Sequence, residues 1–154
     1  MSSEAATSIQ STRERLIGCW RLVNYEIKSE SGETRRPIGD DPRGTILYTQ
    51  DGYMSAQLVR PGPYDQNDQP IAYYIAYSGP YDVDEQTGML THHVQVSVIP
   101  SWLGTAQMRQ AHFYGRDVLV LSEPKRTPED VITHILTWAR EPSRFQTATH
   151  NDVH

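Results

Sequence analysis

Hydrophobic and polar residues alternate along most of this chain with a period of two residues. The segments that carry the pattern, each rich in β-branched or aromatic residues, are residues 20–28, 45–50, 53–60, 77–84, 89–99, 105–114, 118–122 and 131–140. Successive side chains of a strand point to opposite faces, so this period predicts strands with one buried and one exposed face. About eight such strands at short spacing are typical of an all-β sandwich or barrel.

Turn residues separate these segments and favour hairpins between sequence neighbours. Asp51-Gly52 is the strongest hairpin signal, and Gly115-Arg116-Asp117 separates two later strands. Ser11 and Glu14 have the spacing of a capping box, which predicts a short helical turn that Gly18 ends. Sequential hairpins favour an up-and-down closure, which leaves no sheet edge. We therefore predict an all-β fold, a single antiparallel up-and-down barrel after a short N-terminal helical turn.

The length and composition of the chain fit one globular domain. It has 154 residues, of which 37% are hydrophobic and 21% charged, and this length is enough to bury a real core. We expect a disordered leader over residues 1–14, the barrel over residues 15–141 and a polar tail over residues 142–154. A break at residues 60–71, rich in proline, is long enough to fold over one end of the barrel as a lid.

Charge and cysteine content exclude several classes of function. The net charge of -5 argues against nucleic-acid binding, and the arginines form no stripe that would suit a membrane surface. A single cysteine, Cys19, allows no disulfide within the chain. The first residues lack the basic start and apolar core of a signal peptide, so we expect a cytoplasmic protein. The oligomeric state stays open, with a homodimer as one option.

Short motifs in a fixed order resemble the single-domain lipocalin-like proteins of bacteria and fungi. The resemblance covers roughly residues 15 to 141 and rests on Gly18-Cys19-Trp20, Asp51-Gly52-Tyr53, Tyr77-Ser78-Gly79-Pro80-Tyr81, Pro100-Ser101-Trp102-Leu103-Gly104 and Trp138-Ala139-Arg140. It implies a barrel in which Trp20 packs across the closed end beneath a basic residue, here Arg140, so that Gly18, Trp20 and Arg140 are structural. Most members of the family are known only as lipocalin-like, and folds of this type also serve as isomerases and cyclases in fungal metabolite pathways, so the resemblance implies the fold more narrowly than the function.

His92 is the first candidate for chemistry. Alternation puts it on one face with Leu90, Val94, Val96 and Val98, which we expect to line the lumen. Such a histidine can act as a general base, and Tyr81 and Arg109 are the other candidates for moving a proton or polarising a carbonyl. The structural alternative is a core histidine that hydrogen-bonds to a neighbour.

The orientation of Arg109 depends on one hairpin register. A three-residue loop at residues 115–117 puts Arg109 and Phe113 on the lumen face with Leu119, whereas a loop one residue longer or shorter puts His112 there instead. A buried arginine needs a carboxylate partner or an anionic ligand. Candidate partners of Arg109 are Glu26, Asp82 and Glu85. A metal site would need His92, His112 and His134 all to face inward, and we expect no metal. We also expect no cofactor, and in particular no haem bound to a single histidine in the lumen.

Nine tyrosines against two phenylalanines suit a site for an oxygenated ring compound. The candidate ligand-binding residues are those that we expect in the lumen or at its mouth: Tyr48, Tyr53, Ser55, Gln57, Tyr74, Tyr77, Trp102, Gln107 and Phe113. The sequence thus predicts binding of a small, largely hydrophobic or aromatic metabolite; the alternative is a cofactor-independent isomerase or cyclase acting on a secondary-metabolite intermediate. Both require a cavity of roughly 300 Å³ or more, whereas a purely structural barrel would be filled by side chains.

Overall fold

A computed structural model describes residues 9–64 and 66–145 of the chain. Within these residues, one α-helix and ten strands form in the order α1 Thr12–Leu16, β1 Gly18–Ser29, β2 Thr34–Arg35, β3 Arg43–Tyr48, β4 Tyr53–Val59, β5 Tyr74–Asp84, β6 Met89–His93, β7 Val96–Ser97, β8 Ala106–Tyr114, β9 Val118–Arg126 and β10 Val131–Arg140. A 3₁₀ turn over Pro100–Trp102 precedes β8. Among the described residues, no helix has the length and hydrophobicity needed to cross a lipid bilayer.

Antiparallel pairing between the first and last long strands closes the sheet. β1 pairs with β10 from Trp20 opposite Arg140 to Ser29 opposite Ile132, and the remaining neighbours follow the order β10-β9-β8-β6-β5-β4-β3-β1. Eight strands thus form a closed barrel, and the short β2 and β7 are additions to it. The predicted fold is confirmed.

One end of the barrel is closed by the helix and the beginning of β1. Ser11 and Glu14 form the predicted capping box at the start of α1. Trp20 is fully buried and donates its indole N–H to the Leu16 carbonyl at 2.8 Å. The Arg140 guanidinium lies 4.2 Å from the centre of the Trp20 ring, the contact that the resemblance implied.

A β-bulge changes which residues of β1 face the barrel interior. The register with β10 shifts between Leu22 and Asn24, so the buried face passes from Trp20 and Leu22 to Tyr25 and Ile27. Uninterrupted alternation would have put Asn24 and Glu26 inside. Because a bulge adds one residue to one strand, every later side chain changes face.

The segment predicted as one strand over residues 89–99 is interrupted. β6 ends at His93, and Val94 then bonds through its backbone to Thr105 while the chain turns to form β7. The expectation that Val96 and Val98 face the lumen is therefore wrong, since they are 65% and 49% exposed. Leu90, His92 and Val94 are buried as predicted.

The predicted leader and tail are covered only in part. Residues 1–8 of the leader and residues 146–154 of the tail lie outside the described residues. Within the leader, α1 begins at Thr12, and the backbone N–H groups of Thr12 and Arg13 donate to the Glu85 carboxylate. This contact attaches the helix to the β5–β6 turn.

Candidate ligand-binding cavity

The barrel encloses a cavity of about 220 Å³. Its wall is mainly aromatic and aliphatic, and the residues that line it are Tyr25, Ile46, Ala56, Leu58, Tyr73, Ile75, Tyr77, Trp102, Arg109, Leu121, Glu123, Lys125, His134, Leu136 and Trp138. The cavity runs from Trp138, which is buried, to Lys125, which is exposed at the other end. It is smaller than the roughly 300 Å³ expected from the sequence for a typical ligand site.

An ion pair lies in this mainly apolar wall. Tyr114 pairs with Val118 across a three-residue loop, so Arg109 faces inward, as the first of the two predicted registers requires. An Arg109 guanidinium nitrogen lies 2.9 Å from a Glu123 carboxylate oxygen, and the two side chains are only 12% and 22% exposed. A largely buried guanidinium needs such a partner, because desolvation without one is costly.

The partner of Arg109 differs from the candidates that we considered. Glu26 leaves the lumen face because of the bulge in β1 and pairs with Lys28 at 3.7 Å. Asp82 lies outside and contacts His93 at 2.7 Å, while Glu85 holds the N-terminus of α1. Glu123 lies just beyond the strand predicted over residues 118–122, on the same face as Leu119 and Leu121, because β9 runs past Ser122.

His92 lies behind the cavity wall between two tyrosines. Its Nε2 atom is 2.8 Å from the Tyr48 hydroxyl and its Nδ1 atom is 2.9 Å from the Tyr77 hydroxyl. Burial, together with the nearby positive charge of Arg109, lowers the pKa of His92 to about 3, so the imidazole is neutral near pH 7. Of the three residues, only Tyr77 lines the cavity.

A second tyrosine–histidine pair belongs to the cavity wall itself. The Tyr25 hydroxyl lies 2.8 Å from His134 Nδ1, and both residues line the cavity. Burial and the neighbouring Tyr73 raise the pKa of Tyr25 to about 12, and burial lowers the pKa of His134. Both groups are therefore neutral around pH 7 and can exchange hydrogen bonds with a bound molecule.

The predicted site residues are distributed over three regions. Tyr77, Trp102 and Arg109 line the cavity. His92 and Tyr48 lie directly behind Tyr77, and both are fully buried. Tyr81 does not line the cavity, and its hydroxyl donates to the Thr49 carbonyl over 2.9 Å. Residues expected in the lumen that do not line the cavity are Tyr53, Ser55, Gln57, Tyr74, Gln107 and Phe113.

Strand phase explains these corrections. Met54, Ala56 and Leu58 are the buried positions of β4, so Tyr53, Ser55 and Gln57 take the opposite face. Tyr74 is 42% exposed at the start of β5. Two other residues share the inner face of β8 but lie elsewhere: Phe113 packs against Trp20 at the closed end with ring centres 6.3 Å apart, and Gln107 donates to Thr105 at 2.9 Å.

Several lining residues were not selected from the sequence. Tyr25 was hidden by the bulge, and Tyr73 by the loop in which it was placed. Trp138 was interpreted only as part of a motif, although its place on the inner face with His134 and Leu136 was visible. Its indole N–H is buried and has no hydrogen-bond partner among the described residues.

The hypothesis of three converging histidines fails on geometry. His112 is exposed on the outer face of β8, where its ring lies 4.8 Å from that of Tyr114. His92 and His134 each bond to a tyrosine hydroxyl instead. In residues 9–64 and 66–145, no three side chains of the metal-binding types stand close enough together to hold an ion.

A wider groove of about 810 Å³ lies outside the closed end. Its lining includes Glu14, Arg15, Arg116 and Arg140, and it opens to solvent. Because binding sites for small hydrophobic molecules are enclosed and mostly apolar, the cavity in the lumen is the better candidate.

Comparison with known proteins identifies a family model, a fungal relative and solved barrels that resemble this chain. The family model described as a lipocalin-like domain matches residues 17–141. A 4'-hydroxy-3'-methoxypropiophenone carrier protein of Aspergillus oryzae is 34% identical over 87 residues, which cover 45% of this chain and 78% of the relative. A solved redesigned β-barrel matches with a TM-score of 0.45 and 12% identity, over 87% of this chain and 98% of its own. A de novo designed fluorescence-activating β-barrel matches with a TM-score of 0.44 and 10% identity, over 86% of this chain and 100% of its own.

Proposed function

The chain belongs to the lipocalin-like domain family, and from this premise we propose that it carries one small, largely hydrophobic aromatic metabolite in the lumen of its barrel. The observation that carries the proposal is the cavity in the lumen, whose wall is mainly apolar with a few placed polar groups. This is the usual composition of a small-molecule site. A barrel with a purely structural role would be filled by its own side chains.

The volume of the cavity limits the size of the ligand. Drug-sized molecules occupy sites of about 300–1,000 Å³, whereas an apolar cavity of about 150 Å³ is enough for benzene. A cavity of about 220 Å³ therefore suits a single aromatic ring with a few substituents. The ligand named for the fungal relative is a compound of that kind.

The chemistry of the wall favours carriage over catalysis. A general base must reach the proton that it abstracts, but both ring nitrogens of His92 are occupied by tyrosines and its side chain is fully buried. Glu123 is paired with Arg109. One observation favours an isomerase or cyclase as the second candidate: His134 lines the cavity with an adjacent tyrosine hydroxyl.

Ligand binding to a cavity-filling variant tests the proposal. We would titrate the protein with 4'-hydroxy-3'-methoxypropiophenone by calorimetry. Ala56→Leu adds three carbons inside the cavity, and Ala106→Leu adds the same carbons on the exposed side of β8. We expect saturable binding to the wild type and to Ala106→Leu, and at least about tenfold weaker binding to Ala56→Leu, since a filled site must expel the ring.

The outcome that contradicts carriage is equally specific. If Ala56→Leu binds as tightly as the wild type while remaining folded, the ligand does not occupy the lumen. If the recovered ligand is chemically changed after incubation, and His134→Ala stops the change, the protein is an enzyme. Native mass spectrometry of the protein as purified then identifies any molecule that it carries from the cell.

A further inference from the structure

Every buried hydroxyl in the Tyr48–His92–Tyr77 chain must find a partner, and this requirement sets the direction of its hydrogen bonds. The Tyr48 hydroxyl is fully buried, and among the described residues its hydrogen-bond partner is His92 Nε2, at 2.8 Å. A tyrosine hydroxyl can donate one hydrogen bond and accept others. If Tyr48 accepted from His92, its own O–H would be left unpaired in the core, which is the costly case. Tyr48 therefore donates to Nε2.

The protonation of His92 then determines what Tyr77 can do. Because Nε2 accepts, the proton of the neutral ring lies on Nδ1 and is donated to the Tyr77 hydroxyl oxygen, 2.9 Å away. The O–H of Tyr77 is then free to donate, and Arg109, which lies beside this hydroxyl, has only donors to offer. Tyr77 lines the cavity. Its hydrogen therefore points to an acceptor that the described part of the protein does not supply.

We infer that the cavity selects a neutral aromatic ligand that bears a carbonyl oxygen, which accepts a hydrogen bond from Tyr77, and that Tyr48 and His92 are positioning residues that keep Tyr77 a donor. A carbonyl oxygen accepts hydrogen bonds and has no hydrogen of its own to donate, so it matches the O–H of Tyr77. A carboxylate is excluded because the charge of Arg109 is already matched by Glu123 at 2.9 Å. This inference rests on the proposed function and adds the chemical class of the ligand to it.

A matched pair of ligands tests the carbonyl requirement. We would compare 4'-hydroxy-3'-methoxypropiophenone with 2-methoxy-4-propylphenol, which has the same skeleton without the ketone oxygen. We expect the wild type to bind the ketone about tenfold more tightly or better, because the ketone pairs the Tyr77 donor that the other ligand leaves unpaired. This preference should fall to about twofold or less in Tyr77→Phe. It should be unchanged in Tyr114→Phe, the same substitution on the outer face.

The positioning role has a readout of its own. The nitrogen-15 NMR spectrum of the free protein should show His92 protonated at Nδ1 and not at Nε2. Residue 48 does not line the cavity, yet Tyr48→Phe should reduce the preference for the ketone. Without the donor at Nε2, His92 can carry its proton there, and Tyr77 can then donate to Nδ1. A thermal melt of each variant verifies that it is folded.

The outcomes separate this inference from the proposed function. Equal binding of the two ligands by the wild type, or a proton found on Nε2, overturns the inference and leaves a carrier in place. If neither ligand binds, the proposed carriage of such rings fails, and the ligand class inferred from it fails too. The NMR result still decides the direction of the Tyr48–His92–Tyr77 chain.

Discussion

Replacing His92 by leucine should destabilise the fold far more than the same change at the next residue. The two side chains are similar in volume, so the main effect is the loss of hydrogen bonds to two tyrosines. The Tyr48 hydroxyl would be left unpaired in the core, which costs about 1–3 kcal/mol. Tyr77 lines the cavity, where water can reach its hydroxyl. The loss of its hydrogen bond to His92 therefore costs about 1 kcal/mol. We therefore expect the free energy of unfolding to fall by about 2–4 kcal/mol.

Urea unfolding at pH 7.5, followed by tryptophan fluorescence, measures this difference. His93→Leu is the matched control: His93 lies on the outer face and contacts Asp82 near the surface, where such a polar contact contributes about 0–1 kcal/mol. A shift in the midpoint without a change of slope identifies a change in stability alone. A loss below about 1 kcal/mol for His92→Leu, or an equal loss for both variants, would refute the view that His92 satisfies two buried hydroxyls.

Further predictions concern pH, the ion pair in the cavity and the closed end. His92 has a pKa of about 3 in the folded state against about 6.5 when unfolded. Because the unfolded chain binds more protons between these values, the free energy of unfolding should fall as the pH drops from about 6.5 to about 3. Acid titrations of the wild type and of His92→Leu should show a smaller fall for the variant. Glu123→Gln leaves Arg109 without its carboxylate and should cost about 1–3 kcal/mol in urea unfolding; an unchanged midpoint would mean that the pair contributes nothing. Arg140→Met removes the contact with Trp20 and the hydrogen bonds to the carbonyls of Ile17 and Arg15, so a loss of about 2–4 kcal/mol is expected in the same assay. Gly18→Ala should cost about 1–3 kcal/mol, because the residue has a φ of +134° and an added Cβ would lie 3.0 Å from Arg140; a midpoint within error of the wild type would show that the closed end tolerates a side chain there.

The position of Arg109 shows how far sequence reasoning extends into the site. Loop length alone decides whether Arg109 or His112 faces inward, and the sequence permits more than one length. The structure has the three-residue loop, which places Arg109 inside. Its partner Glu123 continues the inner face of Leu119 and Leu121, but the predicted strand ends at Ser122, because a polar residue followed by Pro124 does not favour a strand.

Tyr25 marks a different limit. Alternation assigns faces correctly only while the register with the neighbouring strand is continuous, and the bulge between Leu22 and Asn24 breaks it. Nothing in the local sequence marks a bulge, since its cost is repaid by packing on both sides of the strand. The same kind of interruption after His93 moved Val96 and Val98 to the outside.

The sequence by itself determined the class of fold and the construction of the closed end. Period-two alternation and turn residues are local signals, because each depends on the backbone preferences of a few neighbouring residues. The capping box at Ser11 and the hairpin at Asp51-Gly52 formed as predicted for that reason. The placement of Trp20 and Arg140 at one end was instead implied by the family resemblance that their motifs carry, and the structure has both residues there.

Only the tertiary structure decided which side chains form the cavity. Its wall combines residues from strands that are distant in the chain, as in the pairs Arg109–Glu123, Tyr25–His134 and Tyr77–His92. Whether such groups meet depends on register, bulges and the closure of β1 on β10, which are set by packing over the whole barrel. The cavity and the unpaired donor of Tyr77 result from that packing, so no local segment of the sequence predicts them.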